Sequence, residues 1–157
     1  MKGERQVIQA LNKNLGLLLV SINQYFLHAR VLKNWGFEEM GEVLYKHSIR
    51  DMKSADAIIE RILLLEGLPN LQEYGKILVG ESIEEILQCD KKAETGKHEA
   101  LMDGIALCEN HADFVSRDLL EKQKDINEEY LDWLGTQLDL IADMGLPNYA
   151  QQAAQED

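Results

Sequence analysis

Apolar residues return along this chain at intervals of three and four. From Val7 they run through Leu11, Leu15, Leu18, Ile22, Tyr25 and Ala29, one face of a helix that ends before Gly36. A second helix is expected from about Glu38 to Glu66, with Gly67 as its C-terminal stop and Pro69 unable to continue it. Ser82, followed three residues later by Glu85, is a capping box that opens a third helix ending near His111. A fourth carries Phe114, Leu120, Tyr130, Leu134, Leu138 and Ile141 and closes at Gly145, leaving room after Pro147 only for a short helical tail. Nothing alternates with the period of two that a strand requires.

Connection lengths turn these helices into a topology. Helices one and two, and three and four, are joined by a few residues and must run antiparallel. Residues Gly67 to Glu81, extended at about 3.3 Å each, reach on the order of 50 Å, enough to return along a helix of about 42 Å. The expected fold is therefore all-α, a single domain over residues 1–157, built as a ferritin-like four-helix bundle with a long crossover between helices two and three and a short fifth helix.

Charge narrows the partners. The formal net charge is −12, from 28 acidic and 16 basic side chains, which argues against nucleic acid and anionic membrane and favours cations. No run is expected to approach a membrane span, and a cytoplasmic location is expected. Cys89 and Cys108 match no zinc or redox spacing and read as structural thiols of a reducing compartment.

Several segments together resemble one family. They are Met1-Lys2-Gly3, the run Ile22 to Arg30 (INQYFLHAR), Lys33-Asn34-Trp35-Gly36, the run Ile59 to Leu71 ending EGLPNL, Val115-Ser116-Arg117-Asp118, Asp132-Trp133-Leu134 and Met144-Gly145-Leu146. End to end, the chain is similar to the bacterioferritins, the haem-containing bacterial ferritins. That resemblance implies a hollow 24-subunit shell storing ferric mineral, with one haem b in each two-fold dimer interface. Met52 matches the methionine whose sulfur, paired with that of a second subunit, holds the haem iron. By itself a methionine on an apolar helical stripe reads as core filler. Leu19, Ile22, Asn23, Phe26, Tyr45 and Ile49 fall on the helix faces flanking Met52 in the resembled interface and are expected to line the haem pocket or to pack the dimer.

The resemblance also implies a di-iron ferroxidase centre, and here the chain departs from it. Ferritin-like bundles hold iron with carboxylates and with a carboxylate followed three residues later by histidine. The matching positions read Leu18, Asp51, Ser54, Glu94, Asn127 and Tyr130. Two carboxylates without a histidine are a poor donor set for two irons, and the expectation is that no intact di-iron site exists. Lys46 and Arg50 are cationic where some relatives bind a further iron on the inner surface. Asn34, Glu66, Asp132, Thr136 and Asp139 match side-pore positions that admit cations, although the residues alone read as a solvated acidic face. Of the histidines, His28 belongs to the resembled run of helix one, while His47, His98 and His111 read as surface or hydrogen-bonded.

These expectations lead to a haem-bearing, ferroxidase-deficient iron-storage subunit that relays electrons for iron release. Its expected partners are a second, ferroxidase-competent subunit and a small ferredoxin-type reductant docking near Leu68, Pro69, Asn70, Glu81 and Glu85. Two alternatives stay open: an autonomous ferroxidase using Asp51, Glu94 and Glu128 or Glu129, and a structural homopolymeric container.

Overall fold

The structure, a computed structural model, describes residues 1–71 and 75–154. Five helices follow one another: α1 (Arg5–Asn34), α2 (Glu38–Leu64), α3 (Ile83–Asn110), α4 (Phe114–Met144) and α5 (Leu146–Ala154). The described residues contain no strand. α1 packs along α2 and α3, and α4 along α3 and more lightly along α2. Contacts from α1 to α3 join Gln6 to His111, Asn14 to Ala100 and His28 to Asp90, so these helices run antiparallel. Only a crossover spanning the length of the bundle allows that; residues 72–74 of it lie outside the described residues.

The helix ends follow local chemistry. Ser82 caps α3 by accepting the Glu85 N–H at 3.2 Å, while the Glu85 carboxylate accepts the N–H of Glu81 at 2.8 Å. That is the expected capping box, with its return bond one residue earlier than usual. Asp113 caps α4 in the same way, accepting the Ser116 N–H at 3.0 Å. The α2 stop is shifted from the expectation: the left-handed residue is Glu66, with φ 62°, and Gly67 follows it, donating its N–H to the Ile62 carbonyl at 2.9 Å. Gly67 is needed for closeness rather than conformation, because a Cβ there would lie 2.8 Å from Ile8 Cγ2.

The apolar stripes fill the bundle in two clusters. One, around Val7, Leu11, Leu15, Leu18, Ile62 and Leu101, occupies the end where α1 begins. The other, around Tyr25, Leu32, Leu44, Leu87, Tyr130 and Leu134, occupies the opposite end, where α5 covers it with Tyr149. Each fully buried leucine contributes roughly 1.5–3 kcal/mol. Between the clusters lies a belt of buried polar side chains.

One expectation about apolar runs is corrected here. α1 is long and apolar enough, by length and composition, to cross a membrane. Its apolar side is accounted for by the bundle, since Leu11, Leu15, Leu18, Tyr25, Ala29 and Leu32 are fully buried within it.

Candidate functional site

The polar belt is built from one stripe of each long helix. α3 presents Asp90, Glu94 and Lys97 at helical spacing on the same buried face as Leu87 and Leu101. Opposite them stand Ser21, Gln24, Tyr25 and His28 from α1, Asp51 from α2, and Asn127 and Tyr130 from α4, all buried.

Lys97 is the centre of the belt. Its ammonium donates to Asp51 Oδ2 at 2.8 Å and to Ser21 Oγ at 3.2 Å, and it lies 2.6 Å from Glu94 Oε2. Three acceptors for three N–H donors satisfy the group completely. The Tyr25 ring adds its face, with Nζ 5.3 Å from the centroid. Glu94 also accepts the Tyr25 hydroxyl, and it accepts the Asn127 amide at 2.9 Å. Asp51 also accepts the Ser21 hydroxyl at 2.6 Å.

Burial opposes the charged form of Lys97, but Asp51 and Glu94 outweigh it and hold its pKa above the ordinary lysine value. Burial, with the Glu94 charge adding to it, holds the Asp51 carboxyl above the ordinary carboxylate range even though Lys97 and Ser21 pull it down. The bonding decides the assignment: an ammonium between carboxylates uses every proton that faces an acceptor. Burial, reinforced by the carboxylates, pushes both the Tyr25 and Tyr130 phenols well above their usual range, so each remains a donor.

A second layer ties the crossover to the bundle. Asp90 accepts from Gln24 at 3.0 Å, His28 Nδ1 at 2.8 Å and the Tyr130 hydroxyl at 2.8 Å. His28 Nε2 accepts the Gly80 N–H at 3.0 Å, which puts the ring proton on Nδ1, and Gln24 Oε1 accepts the Leu78 N–H at 3.0 Å. Gly80 must be glycine, because a Cβ would lie 2.4 Å from the backbone nitrogen of Ile86.

The six expected ferroxidase positions therefore part company. Asp51, Glu94 and Asn127 meet at the Lys97 layer, Tyr130 turns its hydroxyl to Asp90, Leu18 is wholly within the apolar cluster, and Ser54 lines a cleft between α2 and α4. Glu128 and Glu129 are exposed and face other partners, His98 at 2.9 Å and Arg50 at 3.4 Å, so neither joins Asp51 and Glu94. Among the described residues no three His, Cys, Asp or Glu side chains form a metal-binding group. The donor set does not fit two iron ions: both carboxylates already share an ammonium, and the four remaining positions offer an alkyl group, an amide and two hydroxyls.

His47 differs from its expected surface role. It is buried and stacks on the Tyr130 ring at 3.9 Å, making no hydrogen bond among the described residues. Burial, helped by the Arg50 charge, lowers its pKa to about 4. The unfolded chain would bind this proton near pH 6.5 and the folded chain only near 4, so acidification between those values favours unfolding. Stability should fall by up to about 3 kcal/mol over that window. Urea titrations of wild type and His47→Phe at pH 7 and pH 4.5 test this; equal losses in both would remove His47 as the cause. His98 and His111 behave as expected, paired with Glu128 and Gln6. The Cys108 thiol is pushed up to about 11 by burial, which makes it unreactive.

The flanks of Met52 form a second feature, on the opposite side of the α1–α2 pair from the belt. Ser48 donates to the Ile22 carbonyl at 3.0 Å, and the Phe26 and Tyr45 rings lie 6.3 Å apart. With Ser21 bonded to Asp51 and Phe26 facing Tyr45, the antiparallel register puts Ile22 level with Ile49 and Leu19 level with Met52. Met52 is 51% exposed, Phe26 46% and Tyr45 38%, a largely apolar strip whose two rings carry the Arg30 guanidinium 5.9 Å and the Lys33 ammonium 5.5 Å from their centroids. Asn23 donates to the Leu19 carbonyl at 2.9 Å. A thioether standing free on an apolar strip fits a flat apolar macrocycle bound between two copies.

The side-pore positions are all exposed. Asp132 and Thr136 share a cleft with His47, Arg50 and Trp133, and Asp139 follows one turn on. Asn34 and Glu66 lie at opposite ends of the α1–α2 pair, so a single chain does not bring the five together. Near the expected docking turn, Leu68 is 82% exposed and Asn12 holds the turn, donating to the Leu68 carbonyl and accepting the Asn70 N–H.

Four long helices, a crossover and a polar belt midway define a ferritin-like bundle, and the family profile described as ferritin-like domain matches residues 8–144. A bacterial ferritin of Pseudomonas aeruginosa is 45% identical over 152 residues, 96% of this chain and 98% of that protein. The bacterioferritin of Mycobacterium leprae is 41% identical over 97% of this chain and 96% of its own, and that of Brucella melitensis 38% over 96% and 94%. The chain belongs to the bacterioferritin family.

Proposed function

We propose that this chain is the haem-bearing, ferroxidase-deficient subunit of an iron-storage shell in the cytoplasm. The observation that supports the reading is the Lys97 ammonium lodged between Asp51 and Glu94, two positions that the resemblance matches to the ferroxidase centre. Iron storage follows from family membership. Met52 and its counterpart on a second copy would hold the haem, while Leu19, Ile22, Phe26, Tyr45 and Ile49 would exclude water around it. When bound, the haem supplies one-electron transfer, at a potential that thioether ligation raises. The acidic face carrying Asp132 and Asp139 would attract incoming cations, and the Leu68 turn would receive a small electron-donating protein. Oxidation of Fe(II) would fall to a second subunit type in the same shell.

Shells of this chain alone should oxidise Fe(II) no faster than buffer does. Shells co-assembled with a ferroxidase-competent bacterioferritin should oxidise it in proportion to the second subunit. A stoichiometric, protein-dependent oxidation burst from this chain alone, abolished by Glu94→Gln, would overturn the proposal.

A further inference from the structure

The belt and the outer strip meet at consecutive residues. Asp51 turns its carboxylate inward to Lys97, while Met52, next in sequence, stands 51% exposed on the other side of α2. On α1, Ser21 is fully buried in the belt and its neighbour Ile22 is only partly buried. Lys97, from α3, takes hold of both helices with one ammonium, donating to Ser21 Oγ at 3.2 Å and to Asp51 Oδ2 at 2.8 Å. It therefore ties together the two helices that carry the strip, at the residues just before Ile22 and Met52. Ser48 closes the same pair from α2, donating to the Ile22 carbonyl at 3.0 Å.

The charge of this cluster acts there with little screening. Lys97, Asp51 and Glu94 are buried, so neither water nor salt surrounds them. Arg50 and Lys53, which flank Asp51 and Met52 in sequence, are exposed and therefore screened. One ammonium faces two carboxylates, which leaves the cluster with a single net negative charge.

We propose that Lys97 is a positioning residue for the electron relay: through Asp51 it fixes the helix pair that presents Met52 and sets the reduction potential of the haem that Met52 ligates. This rests on the haem reading given above. A buried negative charge favours ferric over ferrous haem and lowers the potential, and a buried positive charge raises it. A metal ion held by Asp51 and Glu94 could come and go, but an ammonium on a side chain stays. The haem of this subunit therefore keeps one potential whatever iron passes through the shell.

Spectroelectrochemical titration of the assembled, haem-loaded protein at pH 7 tests it, because charge and structural damage predict different signs. Lys97→Met adds one uncompensated negative charge and should lower the potential, by roughly threefold or more in the ferric-to-ferrous equilibrium. Lys97→Met/Asp51→Asn/Glu94→Gln leaves no charge in the cluster and should raise the potential above wild type by a similar factor. Both should keep the bis-thioether absorption spectrum, and both shifts should persist in 0.5 M salt, roughly enough to screen an exposed charge. Shifts of the same sign in the two variants would overturn the proposal, as would no shift in either. If Lys97→Met does not fold, the triple variant stands as the test, and a potential at or below that of wild type would overturn the proposal. Wild-type protein without a bis-thioether spectrum would instead remove the haem reading, an outcome seen before any variant is made.

Discussion

Lys97→Met should destabilise the bundle by about 3–5 kcal/mol at pH 7, the cost of leaving buried charges without their counter-ion. The methionine matches the lysine stem in length, so the loss would come from Asp51 and Glu94, 2.8 and 2.6 Å from the missing ammonium. The pH dependence identifies the cause. In wild type the raised Lys97 pKa makes its contribution fully present below the unfolded lysine value, lost only as pH rises through the folded one. In the variant, acid would protonate the abandoned carboxylates, and the deficit measured by urea unfolding should shrink from pH 8 to pH 5. Neutralising the whole cluster, with Asp51→Asn and Glu94→Gln added, should recover most of the loss. The single variant should also gain a rise in melting temperature with Zn(II) or Co(II), because two carboxylates freed from an ammonium can accept a cation. An unchanged urea midpoint for Lys97→Met would show that the ammonium is not what neutralises the belt.

Met52→Leu should strip haem from the assembled protein while leaving its helical content and melting temperature intact. The separation is sharp because Met52 is half exposed and contributes little to either apolar cluster. Affinity should fall by more than the roughly 10–100-fold that losing a supporting outer contact costs a metal site. Met52→His should keep haem but change its absorption spectrum and lower its potential, since imidazole stabilises the ferric state better than a thioether does. A bis-thioether spectrum surviving in Met52→Leu would remove Met52 from the site.

The helices were legible because burial repeats at a fixed interval: Leu11, Leu15, Leu18 and Tyr25 were read as one face and are all fully buried. The Ser82 cap was legible for a similar reason, a local rule with a local outcome. The α2 stop was misplaced by one residue because glycine signals two things, a left-handed backbone and a close approach, and Gly67 serves the second. Lys97 is less legible because a match of ligand positions registers the ligands that are lost and not the counter-ion that takes their place. The signal was present: Leu87, Asp90, Glu94, Lys97 and Leu101 form one stripe, and a lysine on a stripe that ends in leucines cannot be solvated. Gln123, between Leu120 and Asn127, carried the same signal on α4. Asp90's service to the crossover had no local signature, because its partners lie 40 to 66 residues away.

The belt also settles a question that the leucines leave open. Two helices with apolar rows repeating every three or four residues can slide past each other by a turn and still match leucine to leucine. The polar layers remove that freedom. Moving α3 one turn along α1 would carry Lys97 from Ser21 to the neighbourhood of Leu18, and would part Asp90 from His28 and the crossover it holds. An ion cluster that adds little net stability thus acts as a vernier, fixing which turn of one helix faces which turn of the next.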